Sequence, residues 1–182
     1  LNLLIERNSL GLEDKISVIN QIASALAVVH RHGIMHRDVK PGNVIVTREM
    51  HAKLMDFGVA RTDDSALTMT AEMIGSPAYM APECFEKKRR ETDARADLFS
   101  LGVMGYELFT GRRPFDGRMF ADLAQQIRTA RPIAPRDLAP ELPEELEAIL
   151  AGMLAKQPRH RFQRAEEIVD AIKLMKANRL VR

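Results

Sequence analysis

Four polar side chains stand at spacings that could serve the chemistry of a charged group. Asp38 follows a long helical pattern on a loop, where a carboxylate can accept a proton from a hydroxyl. Asn43 and Asp56 lie at opposite ends of a predicted hairpin, so their oxygens can face one site. Such oxygens suit Mg²⁺, which keeps waters and phosphates as its other ligands. Lys40, two residues after Asp38 in an extended loop, points the same way and can meet a phosphate.

Hydrophobic periodicity predicts the elements that position these residues. Apolar residues recur every three or four positions over Leu12–His32, which predicts a long amphipathic helix, and Gly33 can end it. Short apolar runs at Asn43–Thr47 and Ala52–Met55 are joined by the turn Arg48–His51. This pattern predicts a hairpin.

The remainder of the chain is predicted to be helical apart from one long loop. Asp97–Phe109 is apolar nearly all round, which indicates a central buried helix. Arg61–Ser76 has no sustained period and predicts a long functional loop. The other predicted helices are Leu1–Arg7, Met119–Ala130, Glu144–Lys156 and Ala165–Leu174. The predicted fold is therefore mainly α, in one compact domain with one small hairpin.

Composition narrows the class of protein. A chain of 182 residues with 46% hydrophobic residues is long enough for one domain with a sizeable core. The net charge of +2 gives no argument for binding nucleic acid or membranes. No apolar run of membrane-spanning length and no signal peptide pattern occurs. The single cysteine, Cys84, cannot form an internal disulfide, so a reduced, cytoplasmic setting is expected.

Three short stretches occur in a fixed order. They are HRDVKPGN at His36–Asn43, DFG at Asp56–Gly58 and APE at Ala81–Glu83. Ten residues of this set match the motifs of protein kinases, and the resemblance covers essentially the whole chain. The chain resembles the C-terminal lobe of a eukaryotic-type (Hanks-type) serine/threonine kinase, especially bacterial members. The resemblance implies a helical bundle over residues 1–182 whose small hairpin carries the catalytic loop (36–43), DFG (56–58) and the activation segment (56–83).

The resemblance also implies the roles of the site residues. Asp38 would be the catalytic base, and Ser76 would contact Asp38 and Lys40 and help to seat the substrate. ATP would be bound with the help of Lys40 and Ile45, the latter under the adenine ring. Asn43 and Asp56 would hold Mg²⁺, with Mn²⁺ as an alternative ion.

Further residues are implied to be structural or regulatory. Asp97 would hold the backbone of the catalytic loop, and Glu83 would pair with a buried Arg161. Thr68 and Thr70 are expected to be phosphorylated, because Arg37 offers a guanidinium that can pair with a phosphate. The residues implied to be structural are His36, Arg37, Phe57, Gly58, Glu83, Asp97 and Arg161.

Parts of a complete kinase are not found in the sequence. None of its glycines forms a G-x-G-x-x-G loop, and the only lysine before His36 is Lys15, inside the predicted helix. The chain is therefore expected to begin just after the hinge between the lobes, without the small N-terminal lobe, and to be inactive alone. Membrane anchoring is expected only through segments outside it.

Several functions remain open at this point. The leading one is transfer of the γ-phosphate of ATP to Ser or Thr hydroxyls of protein substrates, with no nucleic acid as partner. The alternative is a non-catalytic module that docks protein partners through its late helices. A small-molecule kinase does not account for the SPAYMAPE stretch at Ser76–Glu83. A zinc cluster of His30, His32 and His36 is a weaker interpretation than one structural histidine and two at a helix end.

Overall fold

The structure, a computed structural model, describes residues 1–56, 77–85 and 92–180. Its strands are Val44–Val46 (β1) and Ala52–Leu54 (β2), which form an antiparallel pair. The helices are Asn2–Glu6 (α1), Leu12–Arg31 (α2), Arg95–Thr110 (α3), Phe120–Thr129 (α4), Pro135–Leu138 (α5), Glu144–Met153 (α6) and Ala165–Leu180 (α7). The predicted mainly α fold with one small hairpin is confirmed. In the described part of the chain, no helix is both long and apolar enough to cross a bilayer.

Helix α2 leads the chain into residues 36–43, the predicted catalytic loop. Its apolar stripe, which includes Ile16, Ile19 and Leu26, is buried against α3 and α7. The helix ends at Arg31, and Gly33 follows with a φ of 72°, a conformation that glycine adopts without steric cost. This stop directs the chain into the segment that begins at His36.

Helix α3 passes through the centre of the fold. Eleven of its sixteen residues are buried, and Gly111 ends it with a φ of 72°. At Gly102 a Cβ atom would lie 2.7 Å from the Cβ of Met153, so glycine is required for α3 to approach α6 this closely. Asp97, in the first turn of α3, is a charged residue that is buried together with the apolar side chains of this helix.

The buried side chains form two clusters. The first lies between α2, α3, α6 and α7 and supports the catalytic loop and the hairpin. The second lies beneath the short 3₁₀ helices Pro77–Tyr79 and Pro82–Phe85 and beneath α4. Its members are Ala78, Ala81, Phe99, Val103, Tyr106, Phe115, Leu123, Ile127 and Leu154. Side chains of α3 contribute to both clusters, so this helix joins them.

Most predicted helix ends lie within about two residues of the observed ones, but the ends of α6 and α7 differ by more. Helix α6 ends at Met153 rather than Lys156, and in the segment that follows the carbonyl oxygens of Ala155 and Lys156 accept hydrogen bonds from the Arg161 side chain. Helix α7 continues to Leu180 rather than ending at Leu174. Its last turns are attached to α2 through ion pairs of Lys176 and Arg179 with Glu13. The four-residue helix α5 was not predicted, since one turn carries too little periodicity.

Lys156 connects the end of α4 to the second cluster. Its ammonium lies 3.7 Å from the centre of the Phe115 ring and donates to the carbonyl oxygen of Ile127 at 2.5 Å. Loss of hydration on burial, and then the nearby Arg161 guanidinium, lower the pKa of Lys156 to about 8. The hydration lost on burial therefore outweighs the attraction of the ring and the carbonyl for the charged form.

This lowered pKa predicts a pH dependence of stability. Between pH 8 and the ordinary value of 10.5, Lys156 holds its proton in the unfolded chain but loses it in the folded one. The free energy of unfolding should therefore rise with pH across this window, and Lys156→Met should remove that rise. Urea denaturation at several pH values measures it, with Lys173→Met, an exposed lysine of α7, as the control. Identical pH profiles for the wild type and Lys156→Met would contradict the prediction.

Candidate active site

The carboxylate of Asp97 fixes the start of the catalytic loop. Asp97 is 2% exposed, and its Oδ2 accepts a hydrogen bond from the backbone N–H of His36 at 2.8 Å. Its Oδ1 accepts one from the backbone N–H of Arg37, also at 2.8 Å. Hydrogen bonds to a carboxylate are stronger than those between neutral groups, so this contact holds two consecutive peptide units in place.

His30 adds a third hydrogen bond to the same carboxylate. Its Nε2 lies 2.8 Å from Oδ2 of Asp97, and because a carboxylate can only accept, this nitrogen carries the proton. The sequence had placed His30 only at the end of a helix and had missed this contact. Its partner lies 67 residues further along the chain, so no local pattern could reveal the pair.

His36 ties the catalytic loop to the end of the hairpin. Its ring is fully buried, and its Nδ1 accepts the backbone N–H of Asp38 at 3.3 Å. The proton therefore resides on Nε2, which donates to the carbonyl oxygen of Met55 at 2.9 Å. Since Met55 directly precedes Asp56, this neutral histidine connects the two aspartates that the sequence singled out.

Asp38, Lys40 and Asn43 come together around one carboxylate oxygen. The Nζ of Lys40 lies 2.7 Å from Oδ2 of Asp38, and the side-chain amide of Asn43 donates to the same oxygen at 2.8 Å. The second amide hydrogen of Asn43 bonds to the backbone carbonyl of Asp38 at 2.8 Å. The Asp38 side chain is 28% exposed, so the carboxylate is held firmly but remains open to solvent.

The orientation of Asn43 decides which of its atoms can meet a cation. Both hydrogens of its amide are committed to Asp38, so only its Oδ1 can act as a metal ligand. Asp56 is brought near by the hairpin, because the N–H of Met55 donates to the carbonyl oxygen of Asn43 at 2.8 Å. Two oxygen donors fit Mg²⁺, which retains waters and phosphate oxygens as its other ligands. Ile45, on β1 opposite Lys53, is 52% exposed.

Two residues beside the site have unusual backbone conformations. Arg37 has a φ of 65° and Asp56 has a φ of 54°, values that side chains other than glycine adopt at a steric cost. In each case neighbouring hydrogen bonds impose the conformation. The N–H of Arg37 is held by Asp97, and both backbone polar groups of Met55, the residue before Asp56, are bonded.

Glu83 and Arg161 form a buried pair at the edge of the second cluster. Their side chains meet in a bidentate arrangement, with N–O distances of 2.6 and 2.7 Å. The remaining N–H groups of Arg161 donate to the carbonyl oxygens of Ala155, Lys156 and Arg95, so all five of its donors are used. The pair fixes the short helix Pro82–Phe85 against α3 and the segment after α6.

Some predicted site residues cannot be placed. Phe57, Gly58, Thr68, Thr70 and Ser76, with most of the predicted loop, lie outside the described residues. Within the described ranges, no group of three or more His, Cys, Asp or Glu side chains could hold a metal ion. His30, His32 and His36 do not converge: their ring nitrogens contact Asp97, Val28 and Met55 respectively.

The Glu83–Arg161 pair predicts a large loss of stability when one partner is removed. Glu83→Gln should lower the free energy of unfolding by about 3 kcal/mol or more, because it leaves a buried guanidinium without its counter-charge. The double variant Glu83→Gln/Arg161→Met should lose less than the sum of the two single variants. Asp170→Asn, in an exposed ion pair of α7, should change stability by only about 0.5 kcal/mol. Additive losses in urea denaturation would contradict the coupling.

Comparisons with known proteins agree with this geometry. A family model described as the protein kinase domain matches residues 1–172. A probable serine/threonine-protein kinase of Streptomyces coelicolor is 45% identical over 150 residues, covering 81% of this chain and 22% of the relative. The serine/threonine-protein kinase PknB of Mycolicibacterium smegmatis is 40% identical over 157 residues, covering 84% of this chain and 25% of the relative. The chain thus spans about a quarter of the length of these curated relatives.

A solved structure shows the same fold. The crystal structure of Rad53 residues 1–466 in complex with AMP-PNP superposes with a TM-score of 0.73 and 27% sequence identity. The match covers 93% of this chain and 42% of that chain. Sequence, fold and the arrangement around Asp38 and Asp97 lead to one conclusion: the chain belongs to the protein kinase domain family.

Proposed function

We propose that this chain is the C-terminal lobe, residues 1–182, of a protein kinase that transfers the γ-phosphoryl group of ATP to Ser or Thr hydroxyls of proteins. The observation that carries the proposal is the arrangement at Asp38. Its carboxylate is shared by Lys40 and Asn43, on a loop whose backbone is held by Asp97. The relatives that share 36% to 45% of its residues are serine/threonine protein kinases by name, some of them with the qualifier probable.

Asp38 acts as the base in this reaction. The substrate hydroxyl oxygen forms a bond to the γ-phosphorus while the bond to the β–γ bridging oxygen breaks, and ADP leaves. The hydroxyl proton passes to the carboxylate of Asp38. Asn43 fixes the orientation of that carboxylate, and Lys40 supplies a positive charge beside it and toward the phosphate.

Asn43 and Asp56 are the residues that would hold the metal ion. Kinases of this family use ATP and Mg²⁺, and the ion supplies neutralisation of phosphate charge when bound. Both N–H groups of the Asn43 amide are bonded to Asp38, so the amide oxygen is left for the ion. The pairing of residues 43 and 55 brings Asp56 to the same end of the hairpin as Asn43. Ile45, half-exposed on β1, offers an apolar surface for the adenine ring. We further propose that Ser76 seats the substrate, and that Thr68 and Thr70 are phosphorylation sites.

The role of Asp38 predicts a selective loss of turnover. In the full-length gene product, Asp38→Asn should reduce phosphoryl transfer by about 10² to 10⁴, since general-base removal has this size. ATP binding should stay nearly unchanged, because Asn43 and Asp56 are intact. Radiolabelled phosphate transfer and nucleotide titration measure the two effects, with Asp170→Asn as an acid-to-amide control on the exposed face of α7. A variant that keeps more than half of the wild-type turnover would refute the assignment.

The 182-residue chain alone should not transfer phosphate and should bind Mg·ATP only weakly. It supplies a base, two metal ligands and an apolar floor, but no G-x-G-x-x-G loop. Lys15, the only lysine before His36, lies on α2 and donates to Oδ1 of Asn8, so it does not serve the site. Nucleotide bound on one open face stays hydrated, and its polar contacts remain weak in water.

Calorimetric titration of the purified chain with Mg·ATP tests this expectation, together with a transfer assay on a generic protein substrate. Micromolar binding, or measurable transfer, would show that these residues are sufficient by themselves. Absence of transfer from the full-length gene product as well would instead favour the non-catalytic binding module.

A further inference from the structure

The hairpin that carries the metal-binding residues is too short to hold its own shape. Strands β1 and β2 have three residues each, paired as Val44 with Leu54, Ile45 with Lys53 and Val46 with Ala52. An isolated two-stranded hairpin is at best marginally stable in water. Its open end nevertheless has to hold Asn43 and Asp56 in a fixed relation.

The pattern of hydrogen bonds shows which groups of the hairpin lack a partner on the other strand. The N–H of Met55 bonds to Asn43 and the N–H of Thr47 bonds to His51. Bonded and non-bonded pairs alternate in an antiparallel ladder, so the pair of Val46 with Ala52 is a non-bonded one. The N–H of Ala52 therefore points away from β1, where a third strand would normally lie.

Gln21 of α2 occupies the place of that third strand. Its Oε1 accepts the N–H of Ala52 at 2.9 Å, and its Nε2 donates to the carbonyl oxygen of Met50 at 2.9 Å. The acceptor bonded to Ala52 and the donor bonded to Met50 take the place of the backbone C=O and N–H groups of a neighbouring strand. Met50 has a φ of 62°, so the contact also braces a turn in a costly backbone conformation.

The orientation of the Gln21 amide is unambiguous. The Nε2 group also donates to Oγ of Ser17 at 3.1 Å, one turn earlier on α2, so all its hydrogens are used. A flipped amide would place oxygen against the carbonyl of Met50 and N–H against the N–H of Ala52. Gln21 lies between the buried stripe of α2 and the hairpin, and is itself partly buried.

We propose that Gln21 is a positioning residue of the phosphoryl-transfer site, because its side-chain amide serves as the missing third strand of the hairpin that presents Asn43 and Asp56. The inference rests on the function proposed above. It adds a residue whose partners lie 29 and 31 residues away in the chain and which no motif identifies. Helix α2 then supports both halves of the site, the catalytic loop through the contact of His30 with Asp97 and the hairpin through Gln21.

The first test concerns the hydrogen bonds between Gln21 and the hairpin and needs no enzymatic activity. Gln21→Met keeps the length of the side chain and removes its hydrogen bonds. Amide hydrogen exchange of the 182-residue chain, followed by NMR, should show the N–H of Ala52 exchanging about tenfold faster in this variant. Ile22→Val, a neighbouring change in the buried core of α2 that leaves the hydrogen bonds of Gln21 in place, is the matched control. Gln21→Glu, which sets an oxygen against the carbonyl of Met50, is the second variant if Gln21→Met does not fold.

The second test concerns the site. Mn²⁺ with ATP at millimolar concentration should broaden the amide signals of Asn43 and Asp56 in the wild type, and less so in Gln21→Met than in Ile22→Val. In the full-length gene product, Gln21→Met should raise the Mg²⁺ concentration needed for half-maximal transfer several-fold, with the KM for protein substrate unchanged.

The outcomes separate this proposal from the function on which it rests. If the N–H of Ala52 exchanged at the same rate in Gln21→Met as in the wild type, Gln21 would not hold the hairpin, and the proposal would be overturned. Faster exchange with the same Mn²⁺ broadening and Mg²⁺ requirement as Ile22→Val would reduce Gln21 to a structural role, and so overturn it too. A wild-type gene product that transfers no phosphate would refute the proposed function, while exchange and Mn²⁺ broadening would still decide the role of Gln21.

Discussion

The carboxylate of Asp97 connects the first part of the chain, α2 and the catalytic loop, to the second part, which begins with α3. It is buried, it belongs to the first turn of the central helix α3, and its partners are His30 at the end of α2 and two backbone N–H groups of the catalytic loop. A buried carboxylate needs such partners, because an unpaired one would lose its hydration without compensation. The loop is constrained in turn, because another path of its backbone would leave the carboxylate of Asp97 without the hydrogen bonds from residues 36 and 37. The position of Asp38, one residue beyond Arg37, follows from this constraint.

The Glu83–Arg161 pair plays a similar part for the second cluster. It uses every donor of Arg161, and the guanidinium lies 4.9 Å from the ring of Phe99, which stacks on Phe115. The ammonium of Lys156 lies 3.7 Å from the centre of the Phe115 ring and 6.0 Å from that of Phe99, and it also reaches the end of α4. The segment that contains Pro77–Phe85 is thereby held by charge pairing at one point and by apolar packing under Ala78 and Ala81 at another. Both anchors converge on α3, the helix that also carries Asp97.

The sequence was a good guide to elements and a partial guide to contacts. Helix α2 could be predicted from its long periodic apolar stripe, α3 from its apolar residues on nearly all sides, and the hairpin from two short apolar runs joined by a short turn. The full extent of α7 could not be predicted, since its last turn is attached to Glu13 of α2, which lies 166 residues from Arg179 in the chain. Motifs identified Asp38, Asn43 and Asp56 by their spacing along the chain. The contacts made by His30 and Gln21 span 29 to 67 residues and obey no local pattern, so only the folded chain reveals them.

The two acidic residues of the site differ in how they are supported. Asp38 is bonded to Lys40 and Asn43, and its loop is fixed to α3 through Asp97. Asp56 follows a three-residue strand, and its neighbour Met55 is held by Asn43 and His36. The proposed base is thus positioned mainly by the loop that Asp97 holds, whereas the proposed metal ligand Asp56 is positioned by a small hairpin that itself needs a helix. A perturbation of the hairpin should therefore displace Asp56 more than Asp38, because the contacts of Asp97 with the loop do not pass through β1 or β2.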